Sequence, residues 1–234
     1  MIKAVLFDLD GTLLPMDNDE FTENYFRLLA SRFAPLGYDA QELVKAVWDG
    51  TAVMVKNDGS RTNEEAFWDR FGAVMGESAL LDKPAFENFY RNEFNDARAS
   101  CGFSKSAREA VELARSRGLI TALATNPIFP ACATESRIRW AGLEPGDFAV
   151  YTTYENNTHC KPNPEYYRDV ANALGLAPGE CAMVGNDVDE DMVAETLGMK
   201  VFLLTDCLIN RSGRDISAYS HGGFEELKQF IMSL

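Results

Sequence analysis

Val5-Leu6-Phe7-Asp8-Leu9-Asp10-Gly11-Thr12 is an apolar run that ends in two carboxylates two residues apart. The segment from Ile2 to Leu9 is short, β-branched and aromatic, with no turn residue before Gly11, which predicts a strand buried on both faces. Such strands build parallel sheets, and open α/β sheets bind ligands beyond the carboxyl ends of their strands. Asp8 and Asp10 are therefore expected at the mouth of a sheet. If the strand continues through them they point the same way and repel, so a cation or a shared proton must hold them. A hard divalent cation with oxygen ligands, Mg²⁺ first, is the expected partner. The competing reading is a turn carrying two solvated aspartates, and the residues downstream separate the two.

The chain has 234 residues, 46% of them apolar, enough for one large domain or a main domain with a smaller insert. Its five cysteines, Cys101, Cys132, Cys160, Cys181 and Cys207, are odd in number and never form a C-x-x-C pair. They read as reduced thiols, with a cytoplasmic location expected. No apolar run approaches the length of a membrane span. A formal charge of −14 opposes non-specific binding to nucleic acid or to an anionic membrane. An anionic substrate would then need a local cation to receive it.

After Thr12 the apolar period changes from strand to helix. Phe21, Tyr25, Leu28 and Leu29 open a series continued by Leu43, Val44, Val47 and Trp48, then Phe67, Trp68, Phe71 and Met75, then Phe86, Phe89 and Tyr90. Four amphipathic helices are predicted, with Thr62-Asn63-Glu64-Glu65 as a capping box opening the third. Their aromatics could line a substrate cavity, but helical stripes usually pack, so bundle core is the preferred reading. From Ser104 helices and strands alternate: a helix with Ser106 and Glu109 as a capping box, a strand over Leu119 to Ala124, a helix over Pro130 to Ala141 and a strand near Phe148 to Thr152. Next come a helix capped by Asn163, strands at Cys181 to Val184 and Lys200 to Leu204 separated by a helix ending near Gly198, and a closing helix through Phe224 and Ile231. The expected fold is α/β, a doubly wound parallel sheet from residues 1–14 and 100–234 with a helical insert over 15–99.

Four predicted strand ends carry polar groups. The first has Asp8 and Asp10. The second has Thr125-Asn126-Pro127, a hydroxyl followed by turn amides suited to phosphate oxygens. Lys161-Pro162 precedes a helix start, where a cation and free N–H groups can meet an anion together. The fourth runs Gly185-Asn186-Asp187-Val188-Asp189-Glu190-Asp191. Asp187-x-Asp189-x-Asp191 imitates a calcium loop, but Met192 replaces the required glycine and Gly198 the bidentate glutamate. His159 reads as an exposed loop histidine and Cys160 as packing.

In this order the residues resemble the four motifs of the haloacid dehalogenase superfamily of phosphatases and phosphotransferases, Asp8-Leu9-Asp10-Gly11-Thr12, Thr125, Lys161 and the run from Gly185 to Asp191. The insert after the first motif is similar to that superfamily's C1 cap. The resemblance implies a Rossmann-like core and a Mg²⁺-dependent phosphatase of a small phosphorylated metabolite. Asp8 would be the nucleophile that forms an aspartyl-phosphate. Asp10 would be the general acid and base, with its main-chain carbonyl on the metal. Thr125 and Asn126 would hold the phosphoryl group, and Lys161 would neutralise it.

Members of the family usually have Gly-Asp where this chain has Gly185-Asn186. The metal ligand of the fourth motif, beside Asp8 and Asp10, therefore lies open between Asn186 and Asp187, with a lean to Asp187 for its charge. Asp191 would orient ligands or contact Lys161, while Asp189 and Glu190 read as a solvated helix start. The alternatives are a phosphomutase or phosphotransferase of the same superfamily and a catalytically weak metal- and phosphate-binding protein. Partners other than the metabolite are not expected, and monomer and homodimer both remain open.

Overall fold

The computed structural model describes every residue, Met1–Leu234. Strand β1 (Ala4–Phe7) is the centre of a six-stranded sheet with β2 (Ile120–Leu123), β3 (Val150–Tyr151), β4 (Cys181–Gly185), β5 (Lys200–Leu204) and β6 (Ser220–Gly222). The order is β3-β2-β1-β4-β5-β6 and every pairing is parallel, with Ala4 opposite Ile120 on one side and Cys181 on the other. Alternate residues of β1 serve the two faces. Val5 and Phe7 pack with α5 (Lys105–Ser116), α6 (Ala131–Trp140) and α8 (Phe224–Ser233), whereas Ala4 and Leu6 pack with Tyr166 and Tyr167 of α7 (Pro164–Ala173). The doubly wound reading holds because β1 is wholly buried and needs cover on both faces.

The insert supplies α1 (Asn18–Phe33), α2 (Ala40–Val55), α3 (Asn63–Met75) and α4 (Lys83–Arg91), all between β1 and β2. The first three begin where a side chain closes the first turn. Asp17 caps α1 by accepting from the Asp19 and Glu20 amides, Asp39 caps α2, and Thr62 with Glu65 forms the expected capping box on α3. The outgoing and returning segments lie side by side. Met16 forms an antiparallel bridge with Cys101, and the Gly102 amide donates to the Pro15 carbonyl at 2.6 Å.

Several local expectations fail for identifiable reasons. Ser106 does not cap α5, which begins at Lys105 after Ser104, and the Glu109 carboxylate is held by Lys105 and Lys228. The segment before Gly198 is a 3₁₀ turn, Met192–Leu197, too short for an α-helix between anchored Asp191 and the left-handed Gly198. Strand β6 is a polar edge strand without the apolar pattern that announces one.

Candidate active site

Asp8 and Asp10 stand where β1 gives way to a tight turn. The strand ends at Phe7, and the turn closes with Gly11 N–H donating to Leu14 O and Leu14 N–H donating to Leu9 O, both at 2.8 Å. Gly11 has a φ of 82°, and a Cβ there would lie 2.3 Å from Asn186 Nδ2. Only glycine satisfies both the backbone and the approach of the fourth strand end. The same crowding applies at Gly185, where a Cβ would fall 2.1 Å from Asp191 Oδ2.

Lys161 is 1% exposed and bridges two carboxylates, donating to Asp8 Oδ1 at 2.8 Å and to Asp191 Oδ1 at 2.6 Å. Burial pulls its pKa down, but Asp191 and Asp8 outweigh burial and hold the ammonium well above its ordinary value. Asp191 is fastened through its other oxygen, which accepts from the Asp187 amide at 2.9 Å. Burial raises the Asp191 carboxyl, opposed by Lys161.

Asp8 Oδ2 and Asn186 Oδ1 converge on the Thr12 hydroxyl, at 2.9 and 3.0 Å. That hydroxyl has one proton, so it serves one of the two oxygens at a time. Asn186 is fixed by donating from Nδ2 to Cys207 O at 2.6 Å, which turns its carbonyl oxygen toward Asp8. Asp187 Oδ1 is engaged by the Asp189 and Glu190 amides, at 2.8 and 2.9 Å. No three Asp, Glu, His or Cys side chains converge on one point, because an amide stands at one corner. The converging set is nevertheless all oxygen, which suits Mg²⁺ and excludes soft metals.

Asp10 is held by a residue that the sequence reading did not single out. Arg137, on the buried face of α6 and itself 1% exposed, donates from Nη1 to Asp10 Oδ2. Its Nη2 donates to Thr134 Oγ1 at 3.3 Å, and its guanidinium lies 4.4 Å from the centre of the Phe129 ring. The other Asp10 oxygen, Oδ1, is buried without a hydrogen-bond partner. Burial raises the Asp10 carboxyl, Arg137 opposes it, and Asp8 adds to the rise. The clue to Arg137 was a cation at helical spacing among Ala133, Ile138 and Trp140, where an apolar side chain is expected.

Thr125 is positioned through its backbone. Its carbonyl accepts from the Thr152 hydroxyl at 2.6 Å and the Tyr166 hydroxyl at 2.8 Å. Asn126 donates from Nδ2 to Glu190 Oε2 at 3.2 Å, and its own Oδ1 is buried and unpartnered. Glu190 is thus a half-buried member of the site, its pKa raised by burial, rather than part of a solvated helix start. His159 is also not an exposed loop residue. It packs against Gly59 and shares a 2.7 Å hydrogen bond with Asp169, outside the cavity. Cys160 is fully buried and burial pushes its thiol up to about 12.

All eight residues singled out at the strand ends, Asp8, Asp10, Thr125, Asn126, Lys161, Asn186, Asp187 and Asp191, line one cavity of about 380 Å³. Its opposite wall is formed by the insert, including Phe21, Tyr25, Trp48, Phe67, Trp68 and Tyr90. Phe21, Tyr25, Phe67 and Trp68 also belong to the hydrophobic core, so core packing and cavity lining are the work of the same side chains.

Comparison with known proteins points one way. The haloacid dehalogenase-like hydrolase family model matches residues 2–194. The Bacillus subtilis protein YhcW, named as a candidate phosphatase, is 28% identical over 211 residues, covering 87% of this chain and 84% of YhcW. A 2-haloacid dehalogenase from Pseudomonas syringae superposes with a TM-score of 0.63 at 20% identity, covering 100% of this chain and 99% of that one. An enzyme of the same family from Bacteroides thetaiotaomicron, solved with magnesium and inorganic phosphate, gives 0.53 at 19% identity, covering 93% of this chain and 98% of the other.

Proposed function

Since the chain belongs to the haloacid dehalogenase-like hydrolases, we propose that it is a Mg²⁺-dependent phosphatase that hydrolyses a small phosphate monoester through an aspartyl-phosphate on Asp8. The observation that carries this reading is the state of Asp10, which lines the cavity with Asp8 and has one oxygen anchored by Arg137 and the other buried without a partner. An acid placed beside a nucleophile serves a leaving oxygen that needs a proton; departure of a halide needs none.

Lys161 holds Asp8 Oδ1, so an Asp8 carboxylate oxygen attacks phosphorus from a fixed position. The phosphorus–ester oxygen bond breaks as the phosphorus–Asp8 bond forms, and the proton carried on Asp10 Oδ1 passes to the leaving oxygen. In the second half Asp10, now ionised, takes a proton from water as the water oxygen attacks the same phosphorus, which restores Asp8 and releases phosphate. The Thr125 hydroxyl, the Asn126 amide and the Lys161 ammonium receive the equatorial oxygens. Two carboxylate-paired cations leave little positive charge for a dianionic phosphate beyond the exposed Arg211, since Lys161 and Arg137 already face Asp8, Asp10 and Asp191.

Mg²⁺ would supply that charge, held by an Asp8 oxygen, the Asp10 main-chain carbonyl and the Asn186 carbonyl oxygen, with Asp187 contributing its negative charge nearby. Asn186 is preferred to Asp187 as direct ligand because its oxygen already converges with Asp8 on Thr12, whereas one Asp187 oxygen is taken by the following turn.

The test is release of inorganic phosphate from a panel of phosphate monoesters with Mg²⁺, comparing wild type with Asp8→Asn and Asp10→Asn. Turnover in wild type that is lost in both variants supports the mechanism. A folded wild type inert on every ester, or an Asp8→Asn variant that keeps its rate, rejects it.

A further inference from the structure

We propose that the alcohol released by this enzyme is an uncharged apolar or aromatic one, carrying only neutral hydrogen-bonding groups, because the wall that the insert gives the cavity is mainly aromatic and contributes no cation. The proposal rests on the phosphatase reading and extends it to the half of the substrate that the residues at the strand ends do not touch.

The charge distribution carries the argument. Of the lining residues, the insert contributes Phe21, Tyr25, Phe67, Trp68, Tyr90 and others of their kind, but no lysine, arginine or histidine. Its one charged lining residue is Asp19, which repels anions. The helix start nearest that side chain offers no anion site either, since the Asp19 and Glu20 amides already donate to Asp17 Oδ1 at 2.9 and 3.0 Å.

Two cations line the chamber in all. Lys161 is consumed by Asp8 and Asp191. Arg211 is exposed and makes no ion pair, and it stands on the core side of the cavity, two residues after Ile209, whose amide donates to the Asn186 carbonyl at 2.9 Å, and not on the insert. A second phosphate or a carboxylate on the leaving group would therefore be desolvated against rings with nothing to pair it.

What the chamber does offer is flat apolar surface with neutral polar groups set in it, a tyrosine pair and Asn18, Thr22 and Thr51 among them. Tyr25 and Phe26 have ring centres 4.8 Å apart, and Phe26 and Trp48 5.4 Å, which carries a continuous aromatic wall from the buried interior to the exposed lip at Trp48. The Tyr25 and Tyr90 hydroxyls lie 2.8 Å apart. Two hydroxyls have two protons, and one satisfies their mutual bond. The second is available to an ether, carbonyl or hydroxyl oxygen in the chamber. Burial holds both tyrosines above their ordinary pKa, so this donor persists across the working pH range.

The experiment compares kcat/KM for 2-naphthyl phosphate, glycerol 3-phosphate and phosphoglycolate in wild type, Trp48→Ala and Thr51→Lys. Trp48 is about half exposed at the lip, so its removal spares the fold, and Thr51 is a half-buried lining residue of α2 where a lysine would bring the missing cation. The expected result is a preference of at least about tenfold for the naphthyl ester, reduced about fivefold by Trp48→Ala, and a gain on phosphoglycolate relative to the naphthyl ester in Thr51→Lys. Wild type that hydrolyses phosphoglycolate or glycerol 3-phosphate as well as the naphthyl ester overturns the proposal while leaving the phosphatase reading intact. If no ester is hydrolysed, that reading fails by itself and 2-naphthol fluorescence decides the chamber. Saturable binding weakened at least about threefold by Trp48→Ala supports the inference, and no saturable binding overturns it.

Discussion

The floor and the roof of the cavity are built on opposite principles. The floor is made of strand ends, each delivering one or two polar side chains, and those side chains are locked by one another: Lys161 by Asp8 and Asp191, Asp10 by Arg137, Asn186 by Cys207. The roof is made of helices whose aromatic side chains are locked by packing, with Tyr25 and Tyr90 as the one hydroxyl pair among them. Pairing fixes a charge within a fraction of an ångström and tolerates little exchange, whereas an apolar wall can be recut while remaining apolar. Chemistry is thereby separated from selection.

If the separation is real, damage to the floor should lower every substrate alike and damage to the roof should reorder them. Asp8→Asn is the severest case: kcat should fall by at least about 10³-fold on all esters with little change in melting temperature, read by phosphate release alongside circular dichroism. Removal of divalent cation by chelation should cost about 10²-fold or more, again without regard to substrate, and Mg²⁺ should restore it better than Ca²⁺, whose longer ligand distances do not suit a compact site. An activity indifferent to chelator would break the floor as described.

Arg137→Met tests whether an ion pair inside the structure serves the floor. It leaves a half-buried Asp10 unpaired and a gap where the buried guanidinium stood, so a loss of about 2 kcal/mol in urea unfolding is expected together with a fall of about ten- to a hundredfold in kcat, partly recovered in Arg137→Lys. Stability lost without any change in kcat would reduce Arg137 to a core residue. Tyr90→Phe is a roof variant, expected to raise KM about threefold for esters with an oxygen in the leaving group and to leave kcat unchanged. Asp17→Ala is the mildest. It removes the cap of α1 at a loss of about 1 kcal/mol, measurable in the unfolding midpoint and nearly silent in kcat.

The floor was far more legible in the sequence than the roof. A buried strand that ends in Asp8 and Asp10 has few physical explanations, and Thr125, Lys161 and Asp191 follow at the ends of later strands where the same logic applies. Arg137 escaped because it acts from a helix face and its partner is distant in sequence. The roof escaped for a different reason: Phe21, Tyr25, Phe67 and Trp68 recur at the helical period whether their outer edge meets another helix or an empty chamber. Periodicity states that a face is covered and says nothing of what covers it. Asn186 and Asp187 could not be separated by residue type, since charge favoured one and alignment the other; the proposal of Asn186 rests on hydrogen bonding to Thr12 and to the next turn, which depends on atoms far apart in sequence.

The side-by-side passage of Pro15 and Gly102 has a consequence for the order of folding. The central strand comes first in the chain, yet Ala4 must find Ile120 and Cys181, so both of its pairings close very long loops. The insert shortens one of these closures. Once α1 to α4 have packed and the Gly102 amide has met the Pro15 carbonyl, β1 and β2 are delivered to each other as if joined by a short crossover through α5. The effective contact order of the sheet then falls. The roof would thus also act as the nucleus on which the floor assembles, and a variant that loosens the packing of α1 against its neighbours should slow refolding even where it leaves the finished enzyme intact.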